Sequence, residues 1–160
     1  MKTVEGLKMS GEKIIINVDD LHFRPAIYAI IIKDNQLLMT KFGEYGYFLP
    51  GGGIDLGENH IDTLIRELKE ETGYTVEVGD LLDIQTAFVK SPVKEKYSHT
   101  IKIFYKCEII SENPQDIKLT ESENILNFTQ EWIDLSEIKN LKMAGDDGKL
   151  LEIVKNCIKK

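Results

Sequence analysis

Residues 52–74 read GGIDLGENHIDTLIRELKEETGY, a segment that is unusually dense in acidic residues. If its second half is a helix, each residue is turned by about 100° from the one before it. Glu67, Glu70 and Glu71 then share one face, because positions i, i+3 and i+4 are neighbours on a helix. An apolar stripe lies beside that face and consists of Ile61, Leu64, Ile65 and Leu68. The pattern predicts a helix that packs by this stripe and presents carboxylates next to it.

The ends of the helix are also marked in the sequence. Asn59 is suited to the N-cap position, where a side-chain oxygen accepts a hydrogen bond from a free backbone N–H group. Gly73 is suited to the left-handed position that follows the last helical residue. We therefore expect the helix to lie between these two residues.

Three glutamates on one helix face repel one another, each pair costing a few tenths of a kcal/mol. Crowding in a partly desolvated site also raises the pKa of at least one carboxyl group. A divalent cation would remove this penalty, and oxygen ligands suit Mg²⁺ or Mn²⁺. The glutamates alone leave two interpretations open, a metal site or a solvated acidic face.

The spacing of the surrounding residues favours the metal site. The segment fits the pattern G-x5-E-x7-R-E-U-x-E-E-x-G-U, where U is a bulky apolar residue. The matching residues are Gly52, Glu58, Arg66, Glu67, Leu68, Glu70, Glu71, Gly73 and Tyr74. Most of these positions allow one residue type only, so a chance match occurs in fewer than about one in ten million windows. The segment resembles the signature of Nudix hydrolases.

The resemblance extends beyond this signature segment. Residues 47–52 (YFLPGG) are similar to the aromatic-x-Leu-Pro-Gly-Gly stretch that precedes it in the family. Residues 131–138 (EWIDLSEI) are similar to the closing strand and turn, so the likeness covers about residues 22–138. It implies the Nudix fold, a mixed β-sheet flanked by helices in an α+β (α/β/α sandwich) class.

We expect residues 1–160 to form a single Nudix domain. Residues 1–20 are interpreted as an N-terminal extension with a short strand, and residues 147–159 as a C-terminal helix. Apolar or alternating runs predict strands at 13–18, 25–33, 36–41, 75–78, 81–89, 99–109 and 125–133. The apolar face of the strand at 99–109 is assigned to Ile101, Ile103, Tyr105, Cys107 and Ile109. Asp34 and Asn35 predict a turn, and residues 90–98 and 111–123 predict loops.

Composition narrows the class of protein. With 42% hydrophobic and 29% charged residues, the chain has the composition of a globular protein. A net charge of −7 argues against a nucleic-acid partner. The chain contains neither an apolar run of the roughly 18 residues that cross a membrane nor an apolar secretory signal, so we expect a cytoplasmic protein without a membrane partner. Cys107 and Cys157 are interpreted as apolar core residues.

The resemblance implies a set of catalytic and metal-binding residues. Glu67, Glu70 and Glu71 would bind Mg²⁺ or Mn²⁺ together with the backbone carbonyl of Gly52, and one carboxylate would double as the base. Arg66, also assigned to catalysis, and Glu58 would hold the ligands in position, as bidentate Arg–carboxylate pairs do.

Other site residues are less tightly specified by the pattern. Gly51 and Gly52 would let the backbone approach the substrate phosphates. Some family members take the base from a distant loop, where Glu121 and Glu123 are candidates; both can also be solvated loop residues. Tyr47 and Phe104 are candidates for stacking on a nucleobase, with core packing as the alternative role.

The function implied by the resemblance is metal-dependent hydrolysis of a phosphoanhydride bond. The substrate would be a small-molecule nucleotide, either a nucleoside diphosphate linked to another moiety or a nucleoside triphosphate. One alternative is a Nudix domain that senses a nucleotide without cleaving it, and another is an acidic interaction module. Retention of every signature glutamate favours the enzyme, and the resemblance allows a homodimer.

Overall fold

The computed structural model describes residues 1–145 and 148–159. The strands are β1 (Thr3–Lys8), β2 (Lys13–Asn17), β3 (Leu21–Phe23), β4 (Ala26–Ile30), β5 (Ile32–Lys33), β6 (Gln36–Phe42), β7 (Tyr47–Phe48), β8 (Gly51–Gly53), β9 (Tyr74–Lys90), β10 (Tyr97–Glu112) and β11 (Phe128–Asp134). The helices are α1 (His60–Thr72), α2 (Glu121–Ile125) and α3 (Lys149–Ile158). None of the helices in the described ranges is long and apolar enough to cross a bilayer.

The strands form two sheets. The larger has the order β2-β1-β9-β10-β4-β8, with β3 also paired to β10, and the smaller has the order β11-β6-β5, with β7 paired to β6. Three contacts in the larger sheet are parallel, β1 with β9, β10 with β3 and β10 with β4, and the remaining pairs are antiparallel. The mixed sheet with helices confirms the predicted fold class.

Helix α1 begins and ends where the sequence predicts. The side chain of Asn59 accepts a hydrogen bond from the N–H group of Ile61 at 2.9 Å, and Gly73 ends the helix with a φ of 75°. Leu64 and Leu68 are fully buried, so the predicted apolar stripe does attach the helix to the sheet.

Strand β4 lies at the centre of the core and is covered on both sides. Ile27 and Ala29 belong to the cluster that contains the apolar stripe of α1. Ile30 belongs to the second cluster, on the other side, with Phe104 and residues of α3. The signature helix therefore packs over one end of the larger sheet, next to β8.

The N-terminal extension contains more structure than predicted. Strand β1, which was not predicted, pairs with β2 as a hairpin and continues in parallel onto β9. Gly6 allows this, since a Cβ at that position would lie 2.7 Å from the carbonyl oxygen of Phe88. The predicted strands at 75–78 and 81–89 are one continuous strand, β9.

Two further predictions need correction. Ile125 ends α2 instead of starting a strand, because Thr120 and Glu123 form a reciprocal capping box that begins a helix in the predicted loop. On β10 the most buried residues include Thr100, Lys102 and Phe104. The alternating sequence pattern predicts these residues on the face opposite the apolar one. The register of β10 against β9 shifts after Phe104, and a strand covered on both faces does not show simple alternation.

The C-terminal helix is present as α3, with both Cys157 and the earlier Cys107 buried as expected. The predicted helix start at Asp147 lies outside the described residues.

Candidate functional site

The glycines of β8 lie directly against the carboxylates of α1. The N–H group of Gly51 donates a hydrogen bond to Oε2 of Glu71 at 2.9 Å. The carboxyl group of Glu67 lies over Gly52, where an added Cβ would be 2.6 Å from its carboxyl carbon. The backbone of β8 and these two acidic side chains therefore form one surface, and glycine is needed at position 52 because Glu67 fills the space above it.

A third carboxylate reaches this surface from a distant part of the chain. Glu67, Glu71 and Glu123 each present an oxygen, and these oxygens lie within 4.8 Å of one another. Glu123 belongs to the first turn of α2, where Thr120 donates its N–H to Oε2 of Glu123 at 2.6 Å. Of the two predicted remote candidates, Glu123 joins the cluster, whereas Glu121 is exposed and does not line the site.

Glu70 lies apart from the close carboxylate cluster, although the helical spacing predicts one face shared with Glu67 and Glu71. Its Oε2 accepts a hydrogen bond from Nη1 of Arg66 at 3.1 Å, and it lines a shallow cleft with Lys69 and Lys118 on the outer side of α1. Among the described residues, the close cluster contains Glu123 and not Glu70. The role of Glu70 as a metal ligand stays a prediction.

Arg66 connects the acidic residues of the signature segment. Its guanidinium forms two hydrogen bonds with Glu58, Nε to Oε1 at 2.8 Å and Nη2 to Oε2 at 3.0 Å. Nη1 also donates to Oε1 of Glu67 at 2.9 Å. Glu58 is fixed in turn by the hydroxyl of Thr63 at 3.0 Å and the N–H of Asp55 at 3.2 Å. The predicted Arg66–Glu58 pair is thus formed and restrains Glu67.

The cluster is electrostatically strained when it is fully ionised. Burial raises the pKa of Glu71, which is 5% exposed, well above its ordinary value; the Gly51 N–H opposes this, and the charge of Glu67 adds to it. Burial also raises the pKa of Glu67, against the lowering effect of Arg66. By contrast, hydrogen bonds from Arg66 lower the pKa of Glu58 to about 2. A proton or a cation would relieve this strain, and three carboxylates fit a hard divalent ion.

A cavity of about 640 Å³ opens beside the carboxylates. Tyr28 and Phe48 contribute its aromatic wall, with their ring centroids 4.9 Å apart in an edge-to-face contact. Burial raises the pKa of Tyr28 to about 12, so its hydroxyl stays protonated and can donate a hydrogen bond. Basic side chains complete the lining, among them Arg24, Lys94, Lys96 and Lys102.

The two aromatic residues predicted to stack on a base are placed elsewhere. Phe104 is 0% exposed and packs beneath Tyr28, with ring centroids 5.7 Å apart, so it offers no surface to a ligand. Tyr47 donates its hydroxyl to Glu131 at 2.8 Å and does not line the cavity. Phe48 lines the cavity instead of Tyr47 because consecutive strand residues point to opposite faces.

Comparisons with known proteins identify the family of the chain. The family model described as NUDIX domain matches residues 22–153. The chain is 36% identical over 136 residues to an ADP-ribose pyrophosphatase of Methanocaldococcus jannaschii, covering 82% of this chain and 73% of that protein. It is 28% identical over 128 residues to an RNA pyrophosphohydrolase of Ruthia magnifica, covering 73% and 71% of the two chains.

Solved structures give the same fold. A NUDIX hydrolase from Nitrosomonas europaea has a TM-score of 0.66 at 17% identity, covering 86% of this chain and 89% of that one. An ADP-ribose pyrophosphatase from Streptococcus suis has a TM-score of 0.59 at 18% identity, covering 86% and 92%. At this identity the structural likeness concerns the fold alone. Together with the family match and the relative from Methanocaldococcus, these findings confirm the predicted family: the chain belongs to the NUDIX family.

Proposed function

We propose that this chain is a metal-dependent pyrophosphohydrolase of small nucleotides. Its substrate would be a nucleoside diphosphate linked to another moiety, or a nucleoside triphosphate. The observation that carries the proposal is the close cluster of Glu67, Glu71 and Glu123 at the wall of a nucleotide-sized cavity. Relatives named as ADP-ribose pyrophosphatase and RNA pyrophosphohydrolase support an enzyme of this type.

Glu67, Glu71 and Glu123 would hold Mg²⁺ or Mn²⁺, with Glu70 and the Gly52 carbonyl as further predicted ligands. When bound, such an ion neutralises phosphate charge and lowers the pKa of water. The sharing of ligands between α1 and α2 would keep the two elements together around the ion.

The remaining chemistry belongs to the side chains of the chain itself. Glu123 is our candidate for the base that accepts a proton from the attacking water, because it comes from a separate element and faces the signature glutamates. Tyr28 lines the cavity and would donate a hydrogen bond to a phosphate oxygen. Arg66 acts through its neighbours, since its bonds to Glu58 and Glu67 keep the Glu67 carboxylate in one orientation.

The test is turnover of a nucleotide panel by the purified protein with Mg²⁺ or Mn²⁺. The panel includes ADP-ribose and the nucleoside triphosphates, and the measured products are nucleoside monophosphate, phosphate and pyrophosphate. Glu71→Gln should lower kcat/KM by at least about a hundredfold, because it removes a negative charge that would bind the metal, and the metal would stabilise the transition state by several kcal/mol. Glu77→Gln, an exposed change on β9, is the matched control and should behave as wild type.

The outcomes separate enzyme from sensor. Equal turnover by the wild type and Glu71→Gln would refute the assignment of the site. Nucleotide binding without turnover under every metal condition would support the nucleotide-sensing alternative. The retained glutamates favour hydrolysis.

A further inference from the structure

A buried lysine lines the cavity, outside the carboxylate cluster. Lys102 is 8% exposed, and its ammonium lies 4.8 Å from the centroid of the Phe48 ring. Lysine is seldom this deeply buried, because its charge loses hydration, and the Phe48 ring is one of the groups that contact its ammonium. The fold therefore places a lysine ammonium at the wall of the cavity, against an aromatic face.

Sheet register locates this charge relative to the carboxylates. Lys102 pairs with Ala26 of β4, and Ala26 pairs with Gly53 of β8. Neighbouring strands are about 4.8 Å apart, so the Lys102 Cα lies roughly 10 Å from that of Gly53. Tyr28 comes from the intervening strand and lines the same cavity. A ligand that touches the carboxylate cluster would have to extend across this strand to reach Lys102.

Further basic side chains surround the same part of the cavity. Arg24 lies against Gly53, and Lys94 and Lys96 come from the turn between β9 and β10. Lys90, also in the lining, is ion-paired with Glu95 at 2.9 Å. Among the described lining residues these cations outnumber the carboxylates, although the chain as a whole has a net charge of −7. Such a local reversal of sign concentrates anions at the cavity.

From these contacts we infer that Lys102 and the neighbouring cations form a subsite for a phosphate beyond the diphosphate that is cleaved. The substrate class is then a nucleoside triphosphate, whose phosphate chain is long enough to contact both the carboxylate region and Lys102. ADP-ribose ends in an uncharged ribose and has no further phosphate to place there. Lys102 would donate charge-assisted hydrogen bonds to the additional phosphate. This inference rests on the proposed function and names its substrate.

The test uses two ligands that differ by one phosphate. Binding of α,β-methylene-ATP and α,β-methylene-ADP is measured by calorimetry with Mg²⁺ present, because the methylene bridge prevents cleavage of the α–β bond, the step that would release a nucleoside monophosphate. Wild type should prefer the triphosphate. Lys102→Met should weaken triphosphate binding by roughly 10- to 100-fold, the loss expected for a hydrogen bond to a charged group, and should weaken diphosphate binding much less. Lys106→Met, exposed on the same strand and outside the cavity, is the control for charge and substitution.

A second variant guards against misfolding of Lys102→Met. Lys94→Ala combined with Lys96→Ala changes only exposed turn residues and should also reduce the preference for triphosphate, most clearly at low salt. If Lys102→Met lost affinity equally for both ligands and the Lys94→Ala, Lys96→Ala double variant bound as wild type, Lys102 would only support Phe48, and the inference would be overturned. Lack of a triphosphate preference in wild type would also overturn it. If ADP-ribose is nevertheless hydrolysed, the proposed function stands without this subsite.

Discussion

Replacement of Gly52 by alanine should separate catalysis from folding. The added Cβ would lie 2.6 Å from the carboxyl carbon and Oε2 of Glu67, whereas ordinary contact begins near 3.4 Å. The carboxylate must therefore retreat by about 0.8 Å. Nothing in the backbone opposes alanine here, since the φ of Gly52 is outside the left-handed region. The whole displacement thus falls on Glu67 and on its 2.9 Å bond to Arg66.

The effects of Gly52→Ala on stability and on the reaction rate should differ greatly in size. Unfolding free energy should change by no more than about 1 kcal/mol, because alanine lowers the entropy of the unfolded chain while crowding costs a similar amount. A shift approaching 1 Å at a reacting centre can lower the rate by about a hundredfold. We expect kcat/KM of Gly52→Ala to fall by about that factor while its denaturant midpoint stays close to wild type.

The assay is nucleotide hydrolysis beside urea unfolding on the same preparation. Gly79→Ala on β9 is the matched control, because it adds the same methyl group in a strand far from the carboxylates and without a positive φ. Full activity in Gly52→Ala would refute the reasoning, since it would show that the position of Glu67 does not govern the reaction.

Three further predictions concern the charges of the site. Glu123→Gln keeps an acceptor for the α2 capping box but loses the negative charge near Glu71, so its kcat should fall by about a hundredfold. Glu121→Gln is the control and should match wild type. Comparable losses of kcat in both variants would contradict a role for the carboxylate cluster. Burial raises the folded-state pKa of Glu71 above 4.5, so its contribution to the stability of metal-free protein is present at low pH and is lost as the pH rises through the folded-state pKa. Mg²⁺ should therefore raise Tm more at about pH 8 than at about pH 5 in scanning calorimetry, and equal increments would argue against this role. Arg66→Lys removes the two hydrogen bonds between the guanidinium and Glu58 and should weaken Mg²⁺ binding by about 10- to 100-fold in a titration. Unchanged Mg²⁺ affinity would show that the guanidinium does not position the metal ligands.

The parts of the site that the sequence predicts are those that depend on local spacing. Helix α1, its N-cap at Asn59 and its end at Gly73 all follow from residues within a few positions of one another. The contact of Arg66 with Glu58 also lies inside the signature segment. The start of α2 is also marked locally, since Thr120 and Glu123 have capping-box spacing, but the polar composition of residues 111–123 favours a loop.

What the sequence did not predict depends on contacts between distant segments. Helical spacing predicts that Glu70 and Glu71 lie on one face. In the structure Glu70 binds Arg66, whereas Glu71 accepts a hydrogen bond from Gly51 of β8. Glu123 reaches Glu67 and Glu71 only through the tertiary fold. Phe104 was misplaced because β10 is buried on both faces, so polarity no longer marks the core side.

A single domain, a homodimer, a cytoplasmic location and the absence of a nucleic-acid partner stay predictions. So does the choice between Mg²⁺ and Mn²⁺.

Helix α2 spans only Glu121–Ile125, and of its capping-box partners Thr120 is exposed and Glu123 is half-buried. Short exposed elements open at little free-energy cost, long before the protein as a whole unfolds. Release of that single turn would withdraw one carboxylate from the cluster while α1 and the sheet remained intact. For the proposed reaction, such an opening at Thr120 would lower the fraction of competent molecules, and global stability measurements would not register its loss.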